Sequence, residues 1–312
     1  SGDLKKSIIP RIFKVVDPFN SECGQNHNNL VEIDENIYQF PPDRIPYLFI
    51  HGIEYSDDPC ETFSFYRGFE DVVGMFDKNR QDGPDYSNVD IYLVNYDSKI
   101  TDEEKTIIRA GFKTVLGEPV VGNAPDLFAV VIWREFVRRA EETAVTKVIP
   151  FLRKLADAKL LIQGRAITHS LGSYLLAYAG NAINPSESIF QSWFCMAAAM
   201  PSDAFTSTGK FKYAPSIAGG PEDINYGTSI WYSAFDKVLT FIYPLANRHP
   251  AMGQTGGLIP IRALTDYDVT LCVREAHMLR DGYFQRLGPT LRYFFGTQVW
   301  PGKPCGIKEI IP

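Results

Sequence analysis

LIQGRAITHSLGSYLLAYA, residues 161–179, is the stretch on which the fold turns. Its first half, up to Thr168, reads as a buried strand spanning 159–168, and Leu171-Gly172 lead into a run with helical spacing, 171–181. His169 and Ser170 fall in the short turn between them. A strand that becomes a helix within about two residues throws the turn side chain above the sheet and aims the first amides of the helix at the same spot. A hydroxyl placed there is a candidate nucleophile. The turn needs small residues two positions either side of the serine, and the sequence supplies Thr168 and Gly172. The competing role for Ser170 is a plain helix N-cap.

Outward from this turn the chain alternates strands and helices. Residues 12–16 and 30–33 are short β-rich runs that predict an opening antiparallel hairpin. IPYLFIHG (45–52) and VDIYLVNYDS (89–98) are buried strands, and a helix is expected over 61–77. Thr101 and Glu104 have capping-box spacing. From Pro125 a long amphipathic helix is predicted, with Trp133 as packing, Glu135, Arg138 and Arg139 among the polar gaps, and Pro150 kinking or ending it. Further strands are expected at 190–200, 228–235 and 261–265. Buried strands alternating with helices predict an α/β fold: one domain over 1–312, with a mostly parallel central sheet and helices on both faces. Ligand sites in such sheets lie beyond the carboxyl ends of the strands.

A serine hydroxyl needs a base to take its proton and an acid to orient the base. Of five histidines only His249 and His277 follow Ser170. His277 lies beyond the last strand and before a final helix, where a base belongs, and His249 sits beside a proline in a loop. For the acid, Asp236 directly follows the strand-like GTSIWYSAF, and Asp203, in AMPSDAF after the preceding strand, is the alternative. His51 and His169 read as site-shaping residues rather than metal ligands. Glu54, Asp57 and Asp58 form an acidic cluster without the periodicity of a calcium loop, a solvated face that would disfavour anionic substrates. Asp266 and Asp268 are expected to hold the loop that carries His277.

The chain order Ser170, Asp236, His277, together with His51-Gly52 after an early strand, resembles the α/β-hydrolase superfamily over roughly 47–295. AAAMPSDAF and YSAFDKVLTFIYPLA also resemble a bacterial branch of hydrolase-like domains of unknown function. The resemblance implies a catalytic triad of these three residues and an oxyanion hole from the amides of Leu171 and Ile53. Thr168 departs from the superfamily's pattern, which has glycine there.

Composition sets the remaining bounds. The 312 residues are 45% hydrophobic and 22% charged, enough for a large core. No apolar run reaches the roughly 18 residues of a membrane span, and the first residues lack the apolar core of a signal peptide. The location is not fixed by the sequence; a cytoplasmic one is favoured, with secretion after removal of a leader as the alternative. The net charge of −6 argues against nucleic acid as partner. Five cysteines without a CxxC pair argue against a disulfide scaffold or zinc ribbon, and Cys195 and Cys272 read as core thiols. No cofactor or metal is implied. Two long stretches, 201–226 and 240–260, carry Phe205, Phe211, Tyr213, Phe241, Tyr243 and Met252 and are expected as walls or a partial lid over the site. The expected function is a serine hydrolase cleaving a carboxylic ester of a small to medium hydrophobic acyl group. The alternatives are an amidase or acyltransferase with the same triad, or an idle hydrolase fold used as a binding or scaffold module.

Overall fold

IPYLFI and VDIYLVN, apolar on both faces, form strands β3 (Ile45–Ile50) and β4 (Val89–Asn95) and pair in parallel at the middle of the sheet. The computed structural model describes residues 6–107, 124–219, 227–241, 243–258, 264–298 and 308–310. The other strands are β1 (Arg11–Val15), β2 (Leu30–Ile33), β5 (Arg165–His169), β6 (Ser192–Met196), β7 (Gly227–Tyr232), β8 (Leu264–Asp268) and β9 (Lys308–Ile310). They make one sheet in the order β2-β1-β4-β3-β5-β6-β7-β8-β9. Pairing is parallel from β4 to β8 and antiparallel for β1 with β2 and β4 and for β8 with β9.

Alternate residues of each central strand feed two apolar layers, as the two-residue period of a strand requires. Leu48 and Ile50 of β3 face the layer built by the helices Ala124–Thr143, Ile149–Ala158 and Leu171–Ile183. Tyr47 and Phe49 face the layer built by the helices Pro59–Val73, Tyr283–Arg286 and Gly288–Phe294. The chain leaves β3 for β4 on one side and returns to β5 on the other, so the carboxyl ends of β3 and β5 flank a switch in strand order, where open α/β sheets form their crevice.

Several local readings are corrected. The strand expected from residue 159 begins at Arg165: the preceding helix ends at Lys159 in a left-handed conformation (φ 45°), which turns the chain out and leaves Leu161 96% exposed. Pro150 does not end the long helix. Ala144–Val148 open into a π turn, with the Ile149 amide donating to the carbonyl of Ala144 five residues back, and the helical backbone continues through Pro150 to Ala158.

Glu135 and Arg139, expected among solvated gaps, are buried. Arg139 pairs with Asp97, Glu104 and Glu135 at 3.3, 3.0 and 2.9 Å; three carboxylates make its burial tolerable. Within the two long stretches, Phe205, Phe211, Tyr243 and Met252 are buried in the core layer around Trp193, Tyr174 and Trp133, while Tyr213 is exposed. Residues 220–226, 242 and 259–260, and the side chain of Phe241, lie outside the described residues.

Among the cysteines, two are paired and one of the two expected core thiols is not fully buried. Cys23 and Cys60 form a disulfide that ties the turn before β2 to the first turn of the helix Pro59–Val73. Cys195 is buried in β6, but Cys272 is half-buried, because it stands on the short helix Thr270–Val273 instead of a strand. No helix among the described residues is long and apolar enough to cross a membrane.

Candidate active site

Ser170 occupies the turn between β5 and the helix Leu171–Ile183 with φ 56° and ψ −120°, a backbone conformation that a residue with a side chain holds only when its surroundings enforce it. Two hydrogen bonds and two close glycines do so. The Ser170 amide donates to the Met196 carbonyl at 2.9 Å and its carbonyl accepts from Ala199 N–H at 3.2 Å, pinning the turn to the end of β6. Gly172 lets the helix lie on β3: a Cβ there would meet the carbonyl oxygens of Ile50 and His51 at 2.3 and 2.5 Å. Gly52 lies against the serine from the other side, and a Cβ on it would stand 2.7 Å from Ser170 Cβ.

Thr168 takes the place of the small residue on the strand side. Its hydroxyl accepts from Trp193 Nε1–H at 2.8 Å and pairs with the Ser173 hydroxyl at 2.9 Å, a satisfied polar cluster under the turn. A β-branched residue is tolerated here because its hydroxyl is used.

The serine side chain makes no capping bond to the helix it starts. Its Oγ lies 2.7 Å from His277 Nε2, and His277 Nδ1 lies 2.7 Å from Asp236 Oδ2. Asp236 follows β7 and its other oxygen, Oδ1, accepts from the amides of Val238 and Leu239 at 3.0 Å each, so one carboxylate both starts the helix Lys237–Phe241 and orients the imidazole. The loop carrying His277 is held near Asp236 by Lys237 N–H to the Glu275 carbonyl (3.2 Å) and by the Ser233 hydroxyl to the Arg274 carbonyl (2.5 Å). Hydroxyl, imidazole and carboxylate therefore form one line of hydrogen bonds, an arrangement able to move a proton off Oγ while the imidazole stays in one tautomer. All three residues are buried.

His51 follows β3 and donates from Nδ1 to the Gly52 carbonyl at 2.8 Å, its ring packed against those of Tyr55 and Tyr96. Burial pulls its pKa down to about 4, so the ring is neutral at neutral pH. His169, also buried, packs against Phe65, His277, Tyr283 and Phe284; burial, then the neighbouring His277, holds its pKa well below the usual range. Ile53 follows Gly52 and is buried, and Leu171 is the first residue of the helix.

The alternatives lie elsewhere. Asp203 and His249 are exposed and take no part in the hydrogen-bond line. Asp266 accepts from Gly257 N–H, and Asp268 accepts from the amide and hydroxyl of Thr270 at the head of the segment leading to His277. In the acidic cluster, Asp57 and Asp58 are exposed, Asp58 caps the helix Pro59–Val73 through the Cys60 amide, and Glu54 is half-buried. His27, Asp58 and Cys60 place potential ligand atoms within 4.8 Å of one another, but the Cys60 sulfur is spent in the disulfide and offers no thiolate.

One cleft lies beside the site and a larger one far from it. One of about 280 Å³ is lined by Tyr55, Ser64, Gly68, Leu279, Arg280 and Phe284, and so borders both the loop after β3 and the loop of His277. The larger, about 540 Å³, lies between the segments around Lys159 and Glu187 at the opposite, amino ends of the strands.

Sequence reasoning passed over Ser98 and Arg139. Ser98 ends the segment after β4, and its hydroxyl donates to the Gly52 carbonyl at 2.6 Å. The rule that carboxyl-end loops carry the site applies to β4 as much as to β5, and was the available signal.

No family model and no curated protein matches the chain. Among solved structures it is similar to LpqC, a poly(3-hydroxybutyrate) depolymerase from Bordetella parapertussis, at 14% identity and a TM-score of 0.33, over 70% of this chain and 66% of that one. It is also similar to an uncharacterised protein from Capnocytophaga ochracea DSM 7271, at 10% identity and a TM-score of 0.35, over 85% of this chain and 60% of that one. The chain thus spans less than two thirds of the length of either protein, and likenesses this distant carry no substrate or residue role across.

Proposed function

We propose that the chain is a serine hydrolase of the α/β-hydrolase type that cleaves a carboxylic ester of a small to medium hydrophobic acyl group through an acyl-enzyme. The observation that carries this reading is the line Ser170 Oγ, His277 Nε2, His277 Nδ1, Asp236 Oδ2, with both hydrogen bonds at 2.7 Å and the serine on a strained turn.

Ser170 Oγ attacks the ester carbonyl carbon as His277 Nε2 takes its proton, and Asp236 steadies the imidazolium from Nδ1. The tetrahedral oxyanion accepts from the amides of Leu171 and Ile53, at the positive end of the helix Leu171–Ile183; a donor of this kind contributes roughly 2.7 to 4 kcal/mol in comparable sites. Collapse expels the alcohol, which receives the proton from Nε2. Water, deprotonated by His277, then attacks the acyl-serine, and the carboxylic acid leaves. The cleft bordered by Tyr55, Leu279 and Phe284, next to both loops, is the candidate place for the acyl or alcohol group. The Cys23–Cys60 disulfide favours an oxidising compartment over the cytoplasm.

One observation favours a second reading. Ser170 has no exposed surface, as a hydrolase fold retained only for binding would allow. Reaction with a fluorophosphonate probe separates the two: an activated serine is labelled rapidly at Ser170, and an idle one is not.

A further inference from the structure

Ser98 grips the loop after β3 through its hydroxyl and both of its backbone groups, the hydroxyl also reaching the Tyr55 carbonyl at 3.4 Å. Its hydroxyl donates to the Gly52 carbonyl (2.6 Å) and accepts from Tyr55 N–H (3.2 Å); its amide donates to the Tyr55 carbonyl (2.7 Å), and its carbonyl accepts from Glu54 N–H (2.9 Å). The Gly52 carbonyl receives a second donor, His51 Nδ1–H, at 2.8 Å, so both of its lone pairs are used. Ser98 is itself fully buried. Arg139 fixes the backbone on either side of it, donating to the Lys99 carbonyl at 3.0 Å and to the Asp97 carboxylate at 3.3 Å.

The Gly52–Ile53 peptide is trans, so its carbonyl and its N–H point in opposite directions across one plane. Two donors that hold the carbonyl thereby hold the N–H of Ile53. Gly52 lies directly against Ser170, and a Cβ added to it would come within 3.3 Å of Ser170 Oγ. The carbonyl is turned toward Ser98 and His51, which leaves the amide for the reacting side.

We propose that Ser98 is a positioning residue that sets the plane of the Gly52–Ile53 peptide and so aims the Ile53 N–H at the oxyanion, with His51 as the second holder and Arg139 as the anchor in the core. This rests on the serine hydrolase reading. Ser98 touches neither substrate nor Ser170 in this role. A donor that tilts away from the developing oxyanion weakens the transition state more than the bound ester, whose carbonyl carries less charge.

The test compares wild type with Ser98→Ala and Ser98→Thr on a p-nitrophenyl ester, with kcat and KM separated, and measures the affinity of an alkyl trifluoromethyl ketone, which forms a tetrahedral adduct on an activated serine. Ser98→Ala is expected to lower kcat by roughly ten- to a hundred-fold, less than the loss of a whole donor, with KM little changed. Ketone affinity should fall by the same factor, and Ser98→Thr, which keeps the hydroxyl, should recover most of both. A Ser98→Ala protein that keeps wild-type kcat and ketone affinity would overturn the inference alone, as would equal losses in the Ala and Thr proteins. A wild type that neither turns over the ester nor binds the ketone would overturn the hydrolase reading with it.

Discussion

His277 Nε2 lies 2.7 Å from Ser170 Oγ although the two residues stand 107 positions apart in the chain. The sheet brings them together: β5 ends one residue before the serine, and β8 leads to the loop of the histidine. Asp236, on the loop after the intervening β7, completes the line.

Asp236→Asn is expected to lower the acylation rate by about 10⁴ while the fold is kept. The Asn oxygen can still accept from Val238 and Leu239, so the helix start survives, and the loss falls on the tautomer of His277. Asp203→Asn, on an exposed residue, should change little. Single-turnover acylation by an activated ester, with folding followed by circular dichroism, checks both.

Thr168→Val should destabilise the protein by about 1 to 3 kcal/mol, because Trp193 Nε1–H loses its buried acceptor while the shape of the side chain is kept. Urea unfolding measures it. Equal stability would mean that the polar cluster under the turn contributes nothing net.

Much of the fold is legible because each decisive strand carries its own signal. β3 and β4 are apolar on both faces, and Ser170 sits where a strand pattern gives way at once to a helix pattern. Asp236 and His277 could be chosen for their positions after strands. Arg139 could not, since helical periodicity assigns a charge to solvent unless carboxylates from distant segments, here Asp97 and Glu104, join Glu135 one turn back to enclose it. Ser98 reads as the end of a strand over 89–98, whereas β4 ends at Asn95 and leaves it in the following loop, and its partners become neighbours only through the pairing of β3 with β4. Cys23 and Cys60 meet in the same long-range way, across 37 positions.

Replacing both of these cysteines with serine removes a crosslink whose loop-closure contribution is about 4 kcal/mol in the chain-entropy picture. The melting temperature should fall, and a reducing agent should lower that of the wild type by a similar amount. Insensitivity to reduction would show that the pair is not bonded in solution.

Buried, neutral His51 makes stability depend on pH. Its pKa of about 4 lies below the ordinary 6.5, so the unfolded chain binds the extra proton first as pH falls. Its contribution is complete above about pH 6.5 and is lost towards pH 4, roughly 3 kcal/mol in all. Glu70, whose pKa burial raises to about 7, acts in the opposite sense as pH rises from its ordinary 4.5. The difference between the unfolding free energies of wild type and His51→Gln across this range isolates the histidine. A difference independent of pH would contradict the assignment.

The nucleophile itself offers the most direct measurement. The protein is treated with a fluorophosphonate, the adduct is mapped by peptide mass spectrometry, and p-nitrophenyl ester hydrolysis is followed in parallel for wild type and Ser170→Ala. The account predicts one adduct, on Ser170, and ester turnover that disappears in the Ala variant while its melting temperature stays close to that of wild type. Turnover that persists in Ser170→Ala, or a wild type that hydrolyses esters with Ser170 unlabelled, would contradict it.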